Sequence, residues 1–96
     1  MPRLKTVPKD IIRERRTKLH IKACEGELVL PHAVREMRTA IAMTQVDFAH
    51  HFGLTRKQVI ELENGRANPT LNTLSKLCRP FGFKVGFVFL GKPPRW

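Results

Sequence analysis

The stretch TQVDFAHHFGLTRKQVIELENG, residues 44–65, constrains this chain more than any other. Thr44 stands before an apolar-periodic run and is followed three residues later by Asp47; Thr55 repeats the arrangement with Gln58. A hydroxyl at a helix N-cap accepts from the N–H three residues on, and the side chain at that third position reaches back to the cap, so each pair marks a helix start. Between the two starts lies Gly53, suited to the left-handed turn that ends a helix. The first helix runs through Val46, Phe48, Ala49 and Phe52, and the second carries Val59, Ile60 and Leu62, of which Val59 and Leu62 face inward. Helices this short are unstable alone and must cross one another, with the small Ala49 at the crossing.

Around this unit the sequence predicts more helix. From Lys9, Ile11, Ile12, Arg15, Leu19 and Ala23 recur at three- and four-residue steps, Glu14 can pair with Lys18, and Gly26 is placed to end the helix. The competing arrangement for LHIKACEGELVL is a hairpin turning at Glu25-Gly26. Pro31 fits the first turn of the next helix, whose stripe is Val34, Met37 and Ile41, with Arg35, Glu36 and Arg38 outside. Asn64-Gly65 and Pro69 bound a loop; Thr70 caps a helix with Leu71, Leu74 and Leu77 inward, closed by Pro80 and Gly82. Residues 83–90 then alternate as a strand that puts Phe83, Val85, Phe87 and Phe89 on one face. The expected class is mainly α: a helical bundle with a basic N-terminal arm and helix over residues 1–26, a central domain over 27–82, and a C-terminal strand and tail over 83–96.

Eighteen Lys and Arg against eight Asp and Glu give a formal charge of +10, which favours polyanionic partners. The excess lies toward the ends: residues 1–26 carry +5, residues 27–82 carry +2 and residues 83–96 carry +3. Cys24 and Cys78 belong to no zinc-type spacing, His50 and His51 point about 100° apart on a helix, and His20 and His32 have no ligand partner nearby in sequence. No Ser/His/Asp or Cys/His set, no Gly-rich phosphate loop and no paired carboxylates can be assembled, so neither an enzyme, a metal nor a cofactor is expected. No apolar run reaches the length of a membrane span, and the expectation is a soluble, cytoplasmic, bacterial protein.

Two short helices joined by a tight turn form a helix-turn-helix, whose second helix enters the major groove. The residues Gln45, Ala49, Gly53, Thr55, Val59, Leu62 and Glu63-Asn64-Gly65 closely resemble the DNA-binding unit of the Xre, or lambda-repressor-like, family, over about residues 31–82. On the second helix Arg56 or Lys57 can donate to guanine, Gln58 can either pair with adenine or close the cap on Thr55, and Glu61 is either a cytosine reader or a solvated charge. The resemblance implies phosphate contact at Gln45. That suits a helix N-terminus with free N–H groups, and the caps Thr44 and Thr55 belong to the same set. Asn64 and Arg66 are expected to reach the backbone across the groove.

A helix-turn-helix monomer touches one half-site, so a homodimer on a palindromic operator is expected. The strand bearing Phe83, Val85, Phe87 and Phe89 is the expected dimer contact; pairing within the chain against residues 28–30, or a surface for another protein, are the alternatives. This layout also resembles the antitoxins of HipA-type toxin kinases, with GKPPRW as the tail and Trp96 the candidate toxin contact; the basic N-terminal helix departs from it. The implied function is a DNA-binding transcriptional repressor and antitoxin of an autoregulated toxin-antitoxin operon. The alternatives are a toxin-neutralising interaction module or a mobile-element repressor.

Overall fold

The computed structural model describes residues 7–87, and these form five helices and a closing 3₁₀ turn. The helices are α1 (Lys9–Cys24), α2 (His32–Ala40), α3 (Gln45–Phe52), α4 (Arg56–Glu63) and α5 (Leu71–Cys78), with the 3₁₀ turn at Arg79–Phe81. The 9–24 segment is therefore helix and the hairpin does not form. Glu14 and Lys18 pair at 3.4 Å one turn apart, and Gly26, at φ +72°, ends the helix.

The core gathers one to three side chains from each element. Phe48 and Val59 are completely buried, and Val34, Met37, Phe52, Leu62, Leu77 and Phe81 close around them. Full burial of a side chain such as Phe48 contributes up to about 3 kcal/mol. Leu19 brings α1 into the same core. On α2 the buried set is Ala33, Val34, Met37 and Ala40, while Ile41 lies just past the helix and is half-buried. Pro31 precedes α2 at its cap rather than sitting in its first turn.

Three sequence expectations are corrected. Leu71 does not face inward: it is 67% exposed, because it is the first residue of α5 and the packed side of that helix begins at Leu74. Arg38 does not lie outside, and Glu36 is only half exposed, because each meets an opposite charge on a neighbouring helix. The strand expected over residues 83–90 is not formed over its described part. Among the described residues there is no β-strand, and residues 84–87 make no backbone hydrogen bond to 28–30 or elsewhere. A single extended segment gains no ladder until another strand lies beside it. The rest of that strand, with Phe89 and the tail to Trp96, lies outside the described residues.

α2 lies between α1 and α4. Glu36 pairs with Lys22 of α1, whereas Arg38 pairs with Glu63 of α4; two residues apart on a helix is about 200°, so the two neighbours hold opposite sides of α2. Most α1 cations are engaged within the molecule. Arg15 donates to the Thr39 carbonyl at 3.4 Å; Arg16 donates to the Pro80 carbonyl at 3.1 Å and lies 5.7 Å from the Phe81 ring centre. His20 Nε2–H donates to the Phe81 carbonyl at 2.8 Å, so the helix is tied to both α2 and the chain that follows α5.

The α2–α3 turn carries one strained residue. Ala42 sits at φ +56°, with its N–H on the Thr39 carbonyl at 3.1 Å and the next N–H, of Met43, on that of Arg38 at 3.2 Å. This is the helix ending that glycine usually makes. The left-handed conformation costs an L-residue about 1–2 kcal/mol, partly offset by the looser unfolded chain that glycine would give. Ala42→Gly is therefore expected to raise the unfolding free energy by about 0.5–1 kcal/mol in urea denaturation; a decrease would mean that the Ala42 methyl contributes more than its strain costs.

Candidate nucleic-acid interface

The turn between α3 and α4 is built as its residues dictate. Thr44 Oγ1 accepts from the Asp47 N–H at 3.1 Å, although Asp47 does not return the bond, so this box is half closed. Gly53 takes φ +67°, which frees the Leu54 N–H to reach the Ala49 carbonyl at 2.8 Å and turns the chain into α4. The second box is complete: Thr55 Oγ1 accepts from the Gln58 N–H at 3.1 Å, and Gln58 Oε1 accepts from the Thr55 N–H at 2.8 Å. Gln58 thus commits its oxygen to the cap. Bidentate pairing with adenine needs both the oxygen and the amide, so it would have to open the box.

An ion pair that sequence reading missed sets the position of α4. Arg38 Nε donates to Glu63 Oε2 at 2.6 Å and Nη2 to Oε1 at 3.1 Å, a two-pronged pair with only 12% and 6% of the two side chains exposed. Arg38 Nη1 also donates to the Met43 carbonyl at 3.0 Å. Gln45 Nε2 donates to Glu63 Oε1 at 3.3 Å, which joins the start of α3 to the end of α4. The first residue of α3, expected at a phosphate, is thereby oriented by its own neighbours. A signal was present: Arg38 stands four residues after Val34, and Glu63 four after Val59, so opposite charges occupy inward helical positions.

With Val59, Leu62 and Glu63 turned inward, the rest of α4 faces out. Arg56, Lys57 and Gln58 are exposed in its first turn, Glu61 is half-buried, and Asn64 and Arg66 are exposed beyond its end. At about 100° per residue Lys57, Glu61 and Asn64 fall within a narrow arc opposite the buried side, with Arg56 along one flank. Neither Lys57 nor Glu61 has an ion-pair partner among the described residues. Gly65, at φ +73°, returns the chain beneath Asn64, and an added Cβ there would lie 3.2 Å from Pro31 Cγ. Pro31 therefore backs the exit loop that carries Arg66.

The remaining candidates separate. His51 sets its ring edge-on to Phe52 at 4.8 Å, and His50 is exposed. Among the described residues no group of His, Cys, Asp and Glu side chains could hold a metal, and no helix is long and apolar enough to cross a membrane. Burial pushes the Cys78 thiol above its ordinary value, which keeps it protonated and a poor nucleophile near neutrality.

An outward helix that begins with two cations, held by a capped turn and a largely buried ion pair, defines a helix-turn-helix DNA-binding fold. Residues 34–88 match the helix-turn-helix family HTH_3, and the chain belongs to this Xre-type, lambda-repressor-like family. The chain is 33% identical over 57 residues to an uncharacterized HTH-type transcriptional regulator of Archaeoglobus fulgidus, covering 59% of this chain and 80% of that one. A protein of the same description from Methanothermobacter thermautotrophicus is 37% identical over 49 residues, 51% of this chain and 71% of its own. Another, from Methanocaldococcus jannaschii, is 33% identical over 48 residues, 50% of this chain and 73% of its own. No solved structure matches the chain.

Removing one partner of the ion pair leaves a buried charge alone. Glu63→Leu is expected to lower stability by about 3–5 kcal/mol, and Arg38→Met with Glu63→Leu together by much less, because the double change removes both desolvated charges. Urea denaturation of the three proteins measures this; equal losses in the single and double variants would mean that the pair is not what holds α4.

Proposed function

We propose that this protein is a sequence-specific DNA-binding transcriptional repressor that acts as a homodimer on a two-fold operator. The observation that carries this is the start of α4. Arg56 and Lys57 occupy its first turn with no acidic residue among them, where the helix dipole disfavours cations by about 0.3–1 kcal/mol each. A free helix gains nothing from this placement, whereas a phosphate-lined groove rewards it. Arg56, Lys57 and Glu61 face base edges in this reading, with Gln58 serving the cap. Gln45, Thr44, Thr55, Asn64 and Arg66 lie along the backbone, where contacts position without specifying.

The strand over residues 83–90 supplies the dimer contact in this proposal, through Phe83, Val85, Phe87 and Phe89. Its support is that Val85 and Phe87 are exposed apolar side chains on a segment, residues 84–87, whose backbone has no hydrogen-bond partner among the described residues. An antitoxin role, with Trp96 in the tail meeting a HipA-like kinase or another toxin, is the finer form of the same proposal, and it rests on likeness of layout.

Three results test the DNA reading. The logarithm of operator affinity should fall with the logarithm of salt concentration with a slope of about −0.9 per phosphate neutralised; a flat response would oppose it. Arg56→Glu should stabilise the free protein by about 0.3–1 kcal/mol, because it reverses the unfavourable dipole contact, while operator affinity collapses. If affinity is unchanged, α4 is not in the groove. Glu61→Gln should change the preferred base at one operator position from cytosine toward adenine, read by base-by-base competition; an unchanged preference would make Glu61 a solvated charge.

A further inference from the structure

We infer that the cavity between the end of α1, residues 28–30 and α5 is the seat for Phe87 of a second copy of this chain. This deepens the homodimer reading above and rests on it. The cavity has a volume of about 740 Å³ and a mainly apolar lining that includes Leu28, Met37, Leu77 and Phe83, with the thiols Cys24 and Cys78 on its wall. Val29, Leu30, Val85 and Phe87 extend the lining to its mouth, where the first three are 40–53% exposed and Phe87 is fully exposed. Phe87 thus borders the cavity of its own chain with its ring fully exposed rather than seated in it.

The occupant follows from what surrounds the mouth. One surface carries both an aromatic projection and an apolar hollow beside it, so a two-fold rotation fills two hollows with two rings. The charges complement one another in the same way. Lys84 lies exposed on the wall formed by residues 82–87; Gly26 also lines the cavity, and Glu25 and Glu27, its chain neighbours, are exposed beside it. None of the three has an ion-pair partner among the described residues. In a two-fold contact Lys84 of one copy meets Glu25 and Glu27 of the other. A foreign partner would have to match both signs, whereas a second copy does so by symmetry. The N–H and C=O groups of residues 84–87, which make no backbone hydrogen bond among the described residues, then face their equivalents as an antiparallel pair.

Two measurements on the full chain decide it. Phe87→Ala removes a ring that touches little in one copy, so the melting temperature of the dilute monomer should not change, while the dimer dissociation constant from sedimentation equilibrium should rise about tenfold or more. Phe87→Cys chains, light and heavy in isotope, are mixed and mildly oxidised; mass spectrometry should find a light–heavy disulfide from position 87 to Cys24 or Cys78. The proposal is overturned if the unaltered chain is monomeric, if Phe87→Ala dimerises as tightly as the parent, or if disulfides from position 87 form only within one chain or to neither thiol. Binding of a single half-site duplex should be the same for parent and variants. Its absence in the parent would reject the DNA reading without bearing on the cavity.

Discussion

The pairing of Arg38 with Glu63 is the contact on which the rest of the structure depends. Glu63 is the last residue of α4, where the helix dipole is negative and a carboxylate is disfavoured. Arg38 reverses that disadvantage with a two-pronged pair in a nearly dry setting and also donates to the Met43 carbonyl in the turn before α3. Gln45 completes the set from the start of α3. Three helices are thus fixed by one planar guanidinium. Apolar packing of Phe48, Val59 and Leu62 supplies most of the stabilisation but little direction, whereas the forked pair permits one angle of approach.

From this follows a division of the molecule into two sides. α2 presents Arg38 to α4 and Glu36 to α1, so the added N-terminal helix lies across α2 from the recognition helix. The cations of α1 then have local work: Arg15 and Arg16 bind carbonyls, and Lys18 and Lys22 bind carboxylates. Net charge alone favours a polyanionic partner without saying which cations meet it. Placement shows that much of the charge of α1 attaches the helix to the domain; the cations of the proposed interface are Arg56, Lys57 and Arg66.

Much of this was legible in the sequence wherever a local rule acts alone. Thr44, Thr55 and Thr70 each cap a helix where spacing placed them, and Gly26, Gly53, Gly65 and Gly82 each take the left-handed conformation at a helix end. What escaped depends on neighbours distant in sequence. Arg38 read as a surface charge because polarity was taken as exposure, and Glu63 was noted only as part of the helix exit, although the helical phase of both is inward. Leu71 read as core because its phase was weighed without its position at the first turn. Residues 83–87 have the alternation of a strand, but alternation specifies only faces; among the described residues no segment lies beside them to hydrogen-bond as a strand. Gln58 shows a further case, where two functions fit one residue and only geometry, the 2.8 Å bond to the Thr55 N–H, shows which one its oxygen serves.

The most direct test of the account is an amide NMR titration of the full chain with a duplex enriched from a random library. The central claim is that α4 and the N-terminus of α3 form the DNA face while α1 lies across α2 from it. Amide shifts on binding should then concentrate at residues 44–46, 55–58, 61 and 64–66, with α1 residues 9–18 little changed. Shifts concentrated on α1, with α4 unaffected, would contradict it.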